Sequence, residues 1–229
     1  MIIDNLLWLL TSCCALGAGD IEEELNAAIA DVRCPDEGRR AAGASAFATI
    51  CHSLVETIEE NKERGLSFAK EERLLSMAID KLSKVFSDKG VLDGSRLEIK
   101  CAASALAGVR HPQAAAVLVH HLALADHSDE KKCLNTLPSR RAKKYEHYPC
   151  AEAYLARGKE GVEALVDRIK TSDDDVTANL AVDLIFDILV EWNESPSLIL
   201  EQAWKSEKGT KAKTRLAKAL EIMRRVDSE

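Results

Sequence analysis

Apolar residues in this chain recur three and four positions apart, and no segment alternates apolar and polar residues between turn signals. That period is the helical one, so the chain has helices to bury and no candidate strand. Asp20 with Glu23 has the form of a capping box ahead of Ile21, Leu25, Ala28, Ile29 and Val32, and Cys34-Pro35-Asp36 ends that helix. Ala44, Phe47, Ala48, Cys51, Leu54, Val55 and Ile58 stripe a second helix that Gly65 closes. Leu74, Ala78, Leu82 and Val85 predict a third over about 70–86, and Asp88-Lys89-Gly90 with Asp93-Gly94 mark the turn after it.

From about residue 95 the helices shorten. Leu97, Cys101, Ala105 and Leu106 define one. His111-Pro112 opens another, with proline where a missing N–H costs nothing, and Ala114, Val117, Leu118, His121, Leu122 and Ala125 form its stripe. A further pair begins near Tyr148-Pro149 and runs through Val162, Leu165, Val166 and Ile169. The segment from Asp174 to about Glu191 is apolar on most sides and is expected to lie deep in the fold. Pro196 starts the next helix, and Leu216, Leu220 and Met223 anchor the last.

Two stretches share a plan. Ala103-Ser104-Ala105-Leu106-Ala107-Gly108-Val109 leads through Pro112 to Val117-Leu118, and Ala151-Glu152-Ala153-Tyr154-Leu155-Ala156-Arg157-Gly158 leads through Gly161 to Leu165-Val166. Leu118 and Leu165 stand 47 residues apart, at the long end of the two-helix repeat range. These stretches resemble HEAT-like repeats over residues 95–190. The resemblance implies an all-α fold, an α/α superhelix of antiparallel helix pairs of the armadillo type, with three parts: 1–19, 20–94 and 95–229. One helix pair cannot bury its apolar side alone, so such repeats stack. For 20–94 an irregular helical bundle is the rival arrangement.

Proteins of that kind mostly act as interaction scaffolds, so the expected function is a non-catalytic protein-binding module with an unidentified protein partner and no cofactor. The alternatives are a metal-dependent or lyase-type enzyme on the same fold, or a structural envelope lipoprotein. One HEAT-like branch binds iron through paired His-Glu dipeptides, and this chain has none. Another attaches bilin pigments, and no motif here points to it. No glycine-rich phosphate loop, nucleophile elbow or His-Glu-x-x-His helix is present. A net charge of −7 and 4% aromatic residues argue against a nucleic-acid partner. Residues 1–60 carry eleven acids and three arginines, so the remainder is close to neutral.

The apolar run 6–18 is too short to span a bilayer, which takes about 20 residues. It has the length of a secretory signal core, and Leu10-Thr11-Ser12-Cys13 resembles a lipoprotein box. Asp4 and the missing upstream Lys or Arg fit a first amphipathic helix instead, so an extracytoplasmic or lipid-anchored location stands beside a cytoplasmic one.

Four sets of residues are candidate sites. The first is a basic connection, Lys131, Lys132, Arg140, Arg141, Lys143 and Lys144, with no acid from 131 to 144; it suits an acidic partner or phosphate, or is a solvated insertion. The second is Asp183, Asp187 and Glu191, four residues apart along one helix face: an acidic line for recognition, or a solvated edge. The third is the scatter His120, His121, His127, Cys133, His147 and Cys150, which matches no zinc spacing, so no metal is expected. Of these, His121 falls on an apolar stripe and is read as a core histidine. The fourth is the cationic last helix, with Lys208, Lys211, Lys213, Arg215, Lys218, Arg224 and Arg225. It complements the helix dipole, or meets a neighbouring copy head to tail. No CxxC pair exists among the seven cysteines, and Cys51 and Cys101 are expected to act as small buried hydrophobes.

Overall fold

A computed structural model describes residues 18–88, 96–124, 145 and 147–226, and among them every regular element is helical. The chain divides into two compact units, residues 1–111 and 112–229.

The first unit contains α1 (Ala18–Val32), α2 (Glu37–Glu63), α3 (Ala69–Ser83) followed by a 3₁₀ turn at Lys84–Ser87, and α4 (Arg96–Ala107). The described part of α1 already runs from Ala18, so Asp20 sits in its first turn, against the dipole, rather than at a cap. Asp36 caps α2, its side chain accepting from the Arg39 N–H at 2.7 Å. The far end closes as a Schellman motif. Leu66 N–H donates to the Asn61 carbonyl at 2.8 Å and Gly65 N–H to that of Lys62 at 3.1 Å, with Gly65 at φ +66°.

Each of the four helices in this unit touches the other three, which is the contact set of a bundle around α2. Phe47, Cys51, Leu75, Ile79, Leu82 and Leu106 form its dry centre. Burying each such leucine or phenylalanine is worth roughly 1.5–3 kcal/mol. Two stripes hold in part: Ala78, Leu82 and Val85 are buried as expected, as are Ala105 and Leu106 on α4. Leu75 and Ile79 are buried on α3 where Leu74 is only half-buried, and on α4 Ile99, Ala102 and Ala103 go inward while Leu97 is exposed. Cys51 is wholly buried, as expected, whereas Cys101 is half-exposed. Arg33 bridges Asp88 and the buried Glu98, the latter at 3.0 Å.

The second unit contains α5 (Pro112–His120), α6 (Pro149–Tyr154), a 3₁₀ segment at Leu155–Gly161, α7 (Val162–Thr171), α8 (Asp175–Glu191), α9 (Pro196–Ser206) and α10 (Thr210–Val226). Proline stands at or just inside the start of α5, α6 and α9. Helix α7 packs against α5, α8 and α10, while α8 packs against α7, α6, α9 and α10. Leu118, Leu165, Ile169, Leu184, Ile185, Leu200 and Leu216 fill the interior.

The turn between α6 and α7 depends on two glycines. Gly158 has φ +58° and ψ −148°, a region that side chains with a Cβ avoid. Gly161 lies under the Tyr154 ring, whose hydroxyl donates to the Gly161 carbonyl at 2.8 Å; a Cβ at 161 would stand 2.6 Å from ring carbon Cε1.

Candidate functional site

Helix α8 is strongly apolar, and its two sides differ in exposure. Asp174 starts it by accepting from the Val176 and Thr177 N–H groups at 3.1 and 2.9 Å. The Thr177 hydroxyl and those two amides hold the Asp174 carboxyl below its ordinary range. Inward, Thr177, Leu180, Ala181, Leu184, Ile185 and Ile188 are buried.

Outward, the 3.6 period brings Val176, Asn179, Asp183, Phe186 and Val190 onto one stripe. Val176 is 46% exposed and Val190 37%, with Phe186 and Asp183 half-buried between them. Two branched aliphatic side chains thus face water on this helix. Helix α8 contains no Lys, Arg or His.

The acidic run lies along one edge of this stripe, and its three members have different surroundings. Glu191 is exposed and Asp183 half-buried. Asp187 is only 8% exposed and accepts from the Tyr145 hydroxyl at 2.7 Å. The line is therefore not a uniform solvated edge: Tyr145, itself completely buried, covers its middle. Nothing in the spacing of carboxylates reports a tyrosine 42 positions away.

The basic candidates separate in the same way. Lys131, Lys132, Arg140, Arg141, Lys143 and Lys144 lie outside the described residues. On α10, most of the cations have partners within the chain. Lys211 reaches Asp173 at 2.7 Å and Arg215 pairs with the same carboxylate, while also donating to the Lys170 carbonyl at 2.6 Å. Lys218 meets Asp175 at 2.7 Å, Arg224 meets Glu201 at 3.3 Å, and Arg225 pairs with Glu221. Lys213 sits 4.8 Å from the centre of the Trp204 ring. Lys211 and Arg215 together hold the Asp173 carboxyl below its usual range. A cleft of roughly 110 Å³ opens beside these pairs, between the α7–α8 turn and α10. The charges facing it already satisfy one another.

Of the His/Cys scatter, His127 and Cys133 lie outside the described residues, and among those described no three His, Cys, Asp or Glu side chains gather as a metal-binding group. Cys150 is buried, and burial pushes its thiol up to about 12. His121 is pulled down to about 4, first by burial and then by His120 and Arg168. It is neutral at pH 7. The unfolded imidazole takes up a proton near its ordinary 6.5, and the folded one does so only near 4. Stability should therefore fall as pH drops from about 6.5 to 4, by about 1–2 kcal/mol, less than full linkage because the ring is partly solvated. His121→Leu should flatten that part of a urea-denaturation pH profile. An unchanged slope would show that another group titrates there.

No family model, no curated protein and no solved structure matches this chain. Among the described residues no helix is long and apolar enough to cross a membrane.

Proposed function

We propose that this chain is a non-catalytic protein-interaction module, with HEAT-like stacking of helix pairs in its second unit. The contact pattern supports that stacking: α7 lies between α5 and α10, and α8 touches both α6 and α9. The Gly158–Gly161 turn stands where the repeat plan places a break between α6 and α7.

The observation that carries the binding role is the outward stripe of α8. Scattered exposed apolar residues are ordinary. Here they share one face of one helix, with Val176 and Val190 about 21 Å apart along its axis at 1.5 Å per residue. Such a stripe gains only when something covers it.

Affinity capture with the intact chain and with a Val176→Ser/Val190→Ser variant tests this. Both side chains already meet water, so circular dichroism and thermal midpoint should change little. The expected result is a reproducible protein partner held by the intact chain and bound about tenfold more weakly by the variant, which is about 1.4 kcal/mol. Retention of every captured partner by the variant, or no reproducible partner at all, overturns the reading.

A further inference from the structure

We propose that the apolar run at residues 6–16 packs onto the far end of α2 and α3 in its own first unit. The inference goes beyond the interaction-module reading and does not rest on it.

Helix lengths come first. Helices α1 and α2 are level at Gly43, which lies beside Ala28, Asp31 and Val32. From Gly43, α2 runs on to Glu63, about 20 residues or roughly 30 Å. From Asp31, α1 runs back to Ala18, about 13 residues or roughly 20 Å. A short turn joins the two as an antiparallel hairpin, so α2 reaches about 10 Å, or two turns, past the described start of α1. Helix α3 shows the same overhang. Lys81 donates to the Asn26 Oδ1 at 2.9 Å. From that level α3 extends back about 12 residues to Ala69, and α1 only about 8 to Ala18. The last turns of α2, the turn at 64–68 and the start of α3 therefore have no described part of α1 beside them. This end is partly apolar: Leu66 is 55% exposed, and Phe68 and Leu74 are half-buried.

The chain itself supplies a cover. Residues 1–17 lie outside the described residues and lead directly into α1. Residues 5–19 carry no charge, and Leu6, Leu7, Trp8, Leu9, Leu10 and Leu16 gain by leaving water. As a helix the run 6–16 is about 16 Å long, and longer if extended, so it spans the overhang. Its covalent link to α1 holds it at a high effective concentration beside that end. Charge argues against an anionic lipid surface as the occupant's destination. Glu23 and Glu24 follow the run closely, Glu59 and Glu63 stand on the last turns of α2, and all four are exposed. An anionic surface would repel them, whereas a run packed on the bundle leaves them in water.

Hydrogen exchange read by mass spectrometry tests this, on the full chain and on a chain lacking residues 2–16. Deletion should speed exchange across residues 57–74 at least about tenfold and leave α7 to α10 within about twofold. Leu66→Ser should speed it several-fold in the full chain and less than about twofold in the shortened one, where its cover is already gone. If the shortened chain does not hold its fold, Leu7→Ser/Leu10→Ser in the full chain takes its place with the same expectations. Protection in the full chain should survive about tenfold dilution, because the contact is made within one molecule. Unchanged exchange on deletion, or an equal Leu66→Ser effect in both chains, overturns the proposal. Protection lost on dilution overturns it too, by making the occupant a second copy. So does a run that leaves exchange unaltered while carrying the full chain onto vesicles of anionic phospholipid.

Discussion

Gly43→Val should destabilise the chain by about 3 kcal/mol, measured by urea unfolding, because α1 and α2 cross at this glycine with no space for a side chain. A Cβ at 43 would stand 2.7 Å from the Asp31 Cβ, 2.8 Å from the Ala28 carbonyl oxygen and 2.8 Å from the Val32 nitrogen. Two of those atoms are α1 backbone, so no rotamer change relieves the contact and the two helices must part. Parting them loosens Leu25, Ala28 and Val32 against Ala44 and Phe47, which are buried in this unit. Helix propensity argues the other way, since replacing a mid-helix glycine with alanine gains up to about 1 kcal/mol. The two effects can be weighed with Gly43→Ala, where overpacking should still win. Gly38→Ala is the control. It sits in the first turn of the same helix, where a Cβ would meet only the Asp36 Oδ1 at an ordinary 3.4 Å. Propensity should decide there, with a small gain. A Gly43→Ala chain as stable as the parent would show that α1 and α2 do not approach as closely as the geometry indicates.

Position 43 also marks where sequence reasoning stops. A glycine inside a helical stripe is visible as an anomaly, but its reason lies in the other helix. Features decided within a few residues were legible. The start of α8 near Asp174, Gly65 ending α2, the proline openings of α5, α6 and α9, and the all-helical class all follow from local backbone chemistry. Features decided by packing were not. On α4 the stripe is read through Leu97, and packing against α2 buries Ile99 instead. On α10 the cations read as a basic face, because their acids, Asp173 and Asp175, sit about 40 residues earlier. The candidate site divides in the same way. The i, i+4 spacing of Asp183, Asp187 and Glu191 placed them together on one side of α8. The exposure of Val176 and Val190 beside them needed the fold, because the apolar run alone predicted that this helix is buried on most sides.

Tyr145→Phe tests the one member of that acidic run that sequence could not distinguish. The Tyr145 hydroxyl donates to the Asp187 Oδ2 at 2.7 Å, and both residues are buried. Removing the hydroxyl takes a donor from a carboxylate with little access to water. A lost hydrogen bond to a charged group costs about 1.5–3 kcal/mol. A phenyl ring keeps the shape, so packing contributes little to the change. Asp187→Ala should cost a similar amount, because it leaves the hydroxyl without this acceptor and opens a small void. If the two groups act mainly on each other, the double variant should be no worse than the worse single one, giving a coupling of at least about 1 kcal/mol in the cycle. Additive losses would place their partners elsewhere and dissolve the pair. The cycle also bears on the binding face. The bond from Tyr145 to Asp187 lies beside the outward stripe of α8. Tyr145→Phe should therefore lower stability while leaving Val176, Asp183, Val190 and Glu191 chemically intact. Retention of the captured partner by the folded fraction should hold within about twofold, below about 0.4 kcal/mol. A much larger loss would mean that the tyrosine holds the face in shape.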